Sequence, residues 1–277
     1  MAYERMGQQP LDYLPVRYPG SRLVFRGPRR GLTGAYVACI GSTGTHGSFV
    51  ARPWPALLED DLGTPCVNLG LPNAGPDVFA DDAAIRKIAR GARAVVLQLP
   101  CAMNLSNPFY RVHPRRNDRF VAATDALRVL YPEVDFTEFH FTRHLMRRLA
   151  AISPARFARL RAAVQEAWLA RMSGVLRGLA PPVVLLWQAN HAPGDGAGSA
   201  AIDADPAFVS RAMLDALAPH AAATVLAVAS GAARTQGTRG MRFPTMQEDV
   251  AAALPGPRAH REAAETLRPV LTRLLKD

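Results

Sequence analysis

Short apolar runs alternate with longer stretches of helical periodicity along the first part of this chain. "AYVACI" (35–40), "CVNLG" (66–70) and "RAVVLQL" (93–99) read as strands. Between them "WPALLEDDLG" predicts a helix that begins near Pro53 and Pro55 and closes at Gly63, and "DDAAIRKIARGA" predicts a second. Strand, helix, strand at this spacing predicts βαβ units and a parallel sheet.

The alternation stops at Pro108. "DRFVAATDALRVLY", "FTRHLMRRLAAI" and "ARFARLRAAVQEAWLARMSGVLRGL" all carry helical periodicity, so residues 108–180 are expected to be a helical insertion. The sheet resumes with "PVVLLWQA" (182–189), followed by a glycine-rich loop (191–201) and a helix over 206–217. A fifth strand, "ATVLAVAS" (223–230), precedes a closing helix over 259–275, which Pro269 is expected to break or kink. The predicted fold is α/β: a three-layer α/β/α sandwich with a central five-stranded parallel sheet and a helical insertion after strand three. Residues 1–30 form a polar, proline-bearing surface arm, and 1–277 make one domain. Ligands of open α/β sheets bind beyond the carboxyl ends of the strands, which directs attention to the loops after Ile40, Leu69, Leu99, Ala189 and Ser230.

Composition changes this picture little. The chain has 277 residues and a formal charge of +10, but lysine occurs only at Lys87 and Lys276. There is no long run of like charge and no interleaving of aromatic and basic residues, so nucleic acid is not the expected partner. An anionic small molecule or a sugar acid remains open. No window approaches the ~18 consecutive apolar residues of a membrane helix, so no membrane partner is expected and the protein is read as soluble and cytoplasmic. Cys39, Cys66 and Cys101 lie in or beside apolar runs, as buried thiols rather than a disulfide framework or zinc site. His140 and His144 stand four apart but lack a third ligand. No metal and no cofactor are expected.

The candidate chemistry begins at "GSTGTHG" (41–47). It is not a P-loop, because no lysine follows at the required spacing, and the G-x-G-x-x-G of a dinucleotide fold is absent. The stretch resembles the first sequence block of the SGNH/GDSL hydrolase superfamily, G-D-S-x-[ST]-x-G. Gly41, Gly44, Thr45 and Gly47 fit, Ser42 stands where aspartate is usual, and Thr43 stands where the nucleophilic serine is usual. "VNLGLPNAG" is similar to the second block and "CAMNLSN" to the third. The resemblance implies an oxyanion hole from the Gly70 backbone N–H and the Asn104 side chain. The D-x-x-H block is missing, and His260 is the candidate base. Thr43 is the candidate nucleophile, or Ser42 if the turn is re-registered; a threonine hydroxyl is as acidic as serine's, but its methyl restricts χ1.

The string "SNPFYRVHPRRNDRF" (106–120) also resembles an uncharacterised bacterial family related to this superfamily. Its Asn107, His113, Arg115, Arg116 and Asn117 are substrate-binding candidates, since arginine forks suit carboxylate, phosphate or sulfate. His46, Asn73, Asn190 and His191 complete that set. The expected function is an ester hydrolase or acyltransferase acting on acylated or anionic carbohydrate. Two alternatives stand beside it: a binding protein on the same scaffold that has lost its chemistry, and a group-transfer (sulfotransferase-like) protein whose 41–47 loop cradles phosphate. Oligomeric state is not legible.

Overall fold

The computed structural model describes residues 11–194 and 202–276. Five parallel strands form the sheet: β1 (Val37–Gly41), β2 (Cys66–Gly70), β3 (Ala94–Gln98), β6 (Val183–Ala189) and β7 (Ala223–Val228). Their spatial order is β2-β1-β3-β6-β7. Chain direction across the sheet therefore reverses between β1 and β3, the position where doubly wound sheets open a crevice.

Strand residues alternate between two cores. Val37, Cys39, Val96, Val184 and Leu186 pack with α2 (Trp54–Leu62) and α11 (Pro257–Lys276) on one face. Ala38, Ile40, Val95, Leu97 and Leu185 face the larger core, which includes side chains of α4 (Ala83–Gly91), α7 (Pro154–Arg177) and α8 (Arg211–Leu217). Covering on both faces explains why these strands read as continuous apolar runs. The three-layer α/β/α architecture with five parallel strands is as expected.

Several boundaries differ. The insertion after β3 is not all helical, for it opens with an antiparallel hairpin of β4 (Tyr110–His113) and β5 (Arg116–Ala123). Only then do α5 (Asp125–Leu130), α6 (Thr142–Ile152) and α7 follow. Tyr110 and Phe120, which lie in contact across this hairpin, are buried in the larger core. Their packing holds extended chain where residue periodicity suggests helix. The expected helix over 206–217 begins only at Arg211, where the Ser210 hydroxyl accepts the Met213 N–H as its N-cap. Pro269 does not break α11, which runs through it. Ala263, Ala264, Leu267 and Leu271 bury the helix's apolar stripe on the sheet, and that packing outweighs the lost N–H.

Residues 11–30 of the expected arm fold back on themselves through a bridge between Val16 and Phe25. The rest of the arm, and most of the glycine-rich loop after β6, lie outside the described residues. All three cysteines are buried and free. Among the described residues no helix is long and apolar enough to cross a membrane, and no group of three metal-ligating side chains occurs.

Candidate functional site

A cleft of about 290 Å³ opens at the carboxyl ends of β1, β3 and β6. Ser42, Thr43 and Gly44 enter it from the first strand, Gln98 from the third, and Gln188, Asn190 and His191 from the fourth parallel strand. Asn73 and Asn104 close one side, while Arg143, Asp203 and Asp205 line another.

The turn after β1 continues as a single helical turn, α1 (Thr43–His46), ended by Gly47 in the left-handed region. Its hydrogen-bond donors point at one acceptor. The Oε1 atom of Gln98 accepts from the Ser42 N–H (3.2 Å), the Thr45 N–H (2.8 Å) and the Thr45 hydroxyl (2.7 Å). A side-chain carbonyl oxygen thus engages two amides of this turn. A phosphate bound as the group-transfer alternative requires would have to displace Gln98 from them. Gln98 went unrecognised in the sequence, and its only signal is a polar residue ending an apolar strand.

Thr43 is held just as firmly. Its hydroxyl accepts the Asn73 N–H at 2.9 Å and donates to Asn73 Oδ1 at 3.2 Å. Asn73 sits in the left-handed region (φ +56°), and its Nδ2 donates to Asp118 Oδ2 at 3.3 Å. The loop after β2 therefore presents Asn73 to Thr43, while Gly70 lies apart. The Gly70 N–H donates to Asn68 Oδ1 at 2.9 Å and does not line the cleft. At Gly70 a side chain would collide with the Thr45–His46 backbone, so the glycine serves close packing of α1 on β2. Asn104 reaches the cleft, with Nδ2 donating to the Asn73 carbonyl (3.0 Å) and Oδ1 accepting the Thr142 hydroxyl (2.7 Å).

His260 is not in the cleft. It is 1% exposed within α11, and its Nδ1 accepts the Trp54 N–H at 3.1 Å. Burial, with Arg26 adding to it, lowers its pKa to about 3, so the ring is neutral and serves as a cap for α2. His46 is likewise directed away: its Nδ1 meets Ser48 Oγ at 3.1 Å and its ring lies against Tyr13. Burial, then Arg26, lowers the His46 pKa to about 4.

His191 is the one histidine lining the cleft among the described residues. Its Nδ1–H donates to the Ala192 carbonyl at 3.0 Å, which leaves the acceptor lone pair on Nε2. That Nε2 has no hydrogen-bond partner among the described residues. Cys101 also lines the cleft, but burial raises its thiol pKa to about 12 and it stays protonated. Arg143 is tied to Asp205 (2.6 Å) and approaches Asp203 (3.5 Å), so its charge is balanced within the cleft.

Gln188 differs from every other lining side chain. It is 7% exposed, yet neither its Oε1 nor its Nε2 has a partner among the described residues. A buried primary amide left wholly unpaired costs about 1–3 kcal/mol, and a ligand supplying one donor and one acceptor removes that cost.

The remaining candidates serve other purposes. Asn117 is 1% exposed and pins the hairpin to the start of α3 (Pro76–Asp81): its Oδ1 accepts the Gly75 and Val78 N–H groups and its Nδ2 donates to the His113 carbonyl. Asn107 closes a local turn, accepting the Phe109 and Tyr110 N–H groups. Neither lines the cleft, a correction to both assignments; Asn107 borders a different pocket together with Arg111 and Arg171. His113, Arg115 and Arg116 line a separate groove of about 810 Å³ on the hairpin's flank.

The family described as Domain of unknown function (DUF6473) matches residues 1–275. No curated protein matches the sequence. Among solved structures, a carbohydrate esterase family 2 enzyme with a carbohydrate-binding domain from Corynascus thermopiles (Myceliophthora fergusii) is 13% identical, with a TM-score of 0.46, covering 92% of this chain and 73% of that one. The lipase Lip_vut3 from a goat rumen metagenome is 12% identical with a TM-score of 0.45, covering 87% and 100%. A catalytic mutant of an acetylxylan esterase from Geobacillus stearothermophilus is 12% identical with a TM-score of 0.40, covering 87% and 94%. Likeness at this level carries no weight for the chemistry of the present chain.

Proposed function

We propose, from the premise that the chain belongs to the DUF6473 family, that its cleft binds a small, neutral, sugar-sized ligand through hydroxyl or amide groups. The observation that carries this reading is Gln188, a buried amide lining the cleft whose two polar atoms have no partner among the described residues. Three facts support it. Asn190 lines the same space as Gln188, and amides offer the paired donors and acceptors that vicinal hydroxyls require. The volume of about 290 Å³ is near the lower end of ligand pockets, which run from about 300 Å³. Arg143 is neutralised by two aspartates, so the cleft itself has no surplus charge for an anion. The test is titration calorimetry with glucose, galactose and N-acetylglucosamine against wild type and Gln188→Leu. At least one sugar is expected to bind wild type and to weaken tenfold or more in the variant. Equal binding to both proteins refutes the assignment.

Ester hydrolysis is the second reading, and one observation favours it: His191 and Thr43 line the same cleft, and His191 Nε2 has no hydrogen-bond partner among the described residues. A base must come within about 2.6–3.2 Å of the hydroxyl proton it takes. In this arrangement the Thr43 proton is directed to Asn73, so catalysis requires that bond to exchange for one to His191. Turnover of p-nitrophenyl acetate that disappears in both Thr43→Ala and His191→Gln supports hydrolysis. Turnover unchanged by either substitution rules out this pair.

A further inference from the structure

The groove beside the hairpin is a second site, with a chemistry opposite to that of the cleft. Arg22, Arg115, Arg116 and Arg119 line it together with His113, and no carboxylate belongs to its wall among the described residues. Arg22, Arg115 and Arg116 are exposed. The nearest acid is Asp118 beneath, whose Oδ1 lies 3.9 Å from Arg116 Nε, at the outer limit of an ion pair. Arg119 is occupied by stacking over the Phe141 ring at 4.4 Å. At least two guanidinium groups therefore face solvent without a carboxylate, on a floor that includes Leu71 and Pro72.

The groove and the cleft meet the same loop after β2. Leu71 and Pro72 form part of the groove's wall, and the next residue, Asn73, lines the cleft and bonds Thr43. Asp118, between two of the groove's arginines in sequence, accepts from Asn73. The segment 71–73 thus contributes to the walls of both sites.

We propose that this groove binds the acidic end of an oligosaccharide whose neutral sugar occupies the cleft, with carboxylate or sulfate groups taken by Arg115 and Arg116. Guanidinium forks match such oxyanions in pairs. The saccharide assignment rests on the proposed reading of the cleft. The groove itself rests on the arginines.

The test uses an aldotriouronic acid, one glucuronic acid linked to two neutral xylose units, and its methyl ester, which share a chain and differ in charge. At low ionic strength, wild type is expected to bind the acid at least tenfold more tightly than the ester, an advantage that shrinks as salt is raised. The double variant Arg115→Glu, Arg116→Glu is expected to abolish that advantage. Gln188→Leu is expected to weaken acid and ester by the same factor. Equal affinity of wild type for the two forms, or a double variant that keeps the advantage, overturns the groove. Binding of the acid alone, lost in the double variant but untouched by Gln188→Leu, upholds the groove and sinks the cleft reading. A single-stranded oligonucleotide that binds more tightly than the aldotriouronic acid overturns the saccharide assignment.

Discussion

Acidification from pH 7 to pH 5 tests the burial of His260 and His46 directly. Both are held as neutral rings, with pKa values lowered from 6.5 to about 3 and about 4. In the unfolded chain each returns to about 6.5 and gains a proton across this window, whereas in the folded chain neither does. The unfolded state therefore binds more protons, and stability falls as pH falls. A site that titrates at 6.5 unfolded and well below 5 folded loses about 2 kcal/mol between these two pH values. The two histidines together should cost about 4 kcal/mol. Lowered folded pKa values make this stability fully present above 6.5 and gone below 3. Asp77 acts in the opposite direction, since burial raises its carboxyl, but it contributes equally to any pair of proteins compared. The decisive measurement is urea unfolding at both pH values for wild type and His260→Gln, whose amide oxygen can still accept the Trp54 N–H. The variant should lose about 2 kcal/mol less than wild type. An identical loss in the two proteins refutes the idea that His260 is buried neutral.

The remaining expectations concern the cleft and its supports. Gln98→Leu removes the acceptor of three donors and should cost about 3 kcal/mol by urea unfolding; a loss under 1 kcal/mol contradicts the role given to Oε1. Asn117→Ala strands the Gly75 and Val78 N–H groups and should cost about 2–4 kcal/mol, with no change in cleft binding beyond the lost folded fraction. Gly44→Ala places a methyl within 2.5–2.6 Å of the Gln98 and Gln188 amides, so it should displace Gln188 and weaken sugar binding in calorimetry. Unaltered affinity there counts against Gln188 as the contact.

The sheet was legible because parallel strands covered on both faces leave continuous apolar runs, as at Val37–Gly41 and Val183–Ala189. The hairpin was not, because Arg116–Ala123 mixes buried Asn117 and Asp118 with an exposed Val121, and no period of two survives. Ser42, Thr43, Asn73, Asn104, Asn190 and His191 reach the cleft as the strand-end rule predicts. His260 misleads because a histidine near the last helix looks the same in sequence whether it faces a cleft or caps another helix. Gly70 misleads for a related reason: a glycine required for close helix–strand packing is indistinguishable from one whose N–H meets a ligand.

The Gln98 side chain has a consequence for how the cleft responds to occupancy. Because its carbonyl already gathers the amides of the turn after β1, that turn needs no ligand to hold its shape. Empty and filled forms should share one backbone there, and binding carries no entropic charge for ordering the turn. Anions common in buffers find two of its amides taken, so sulfate or phosphate should not imitate a ligand at this turn. The glutamine acts as a permanent internal guest, and selectivity passes from the turn to the amides standing around it.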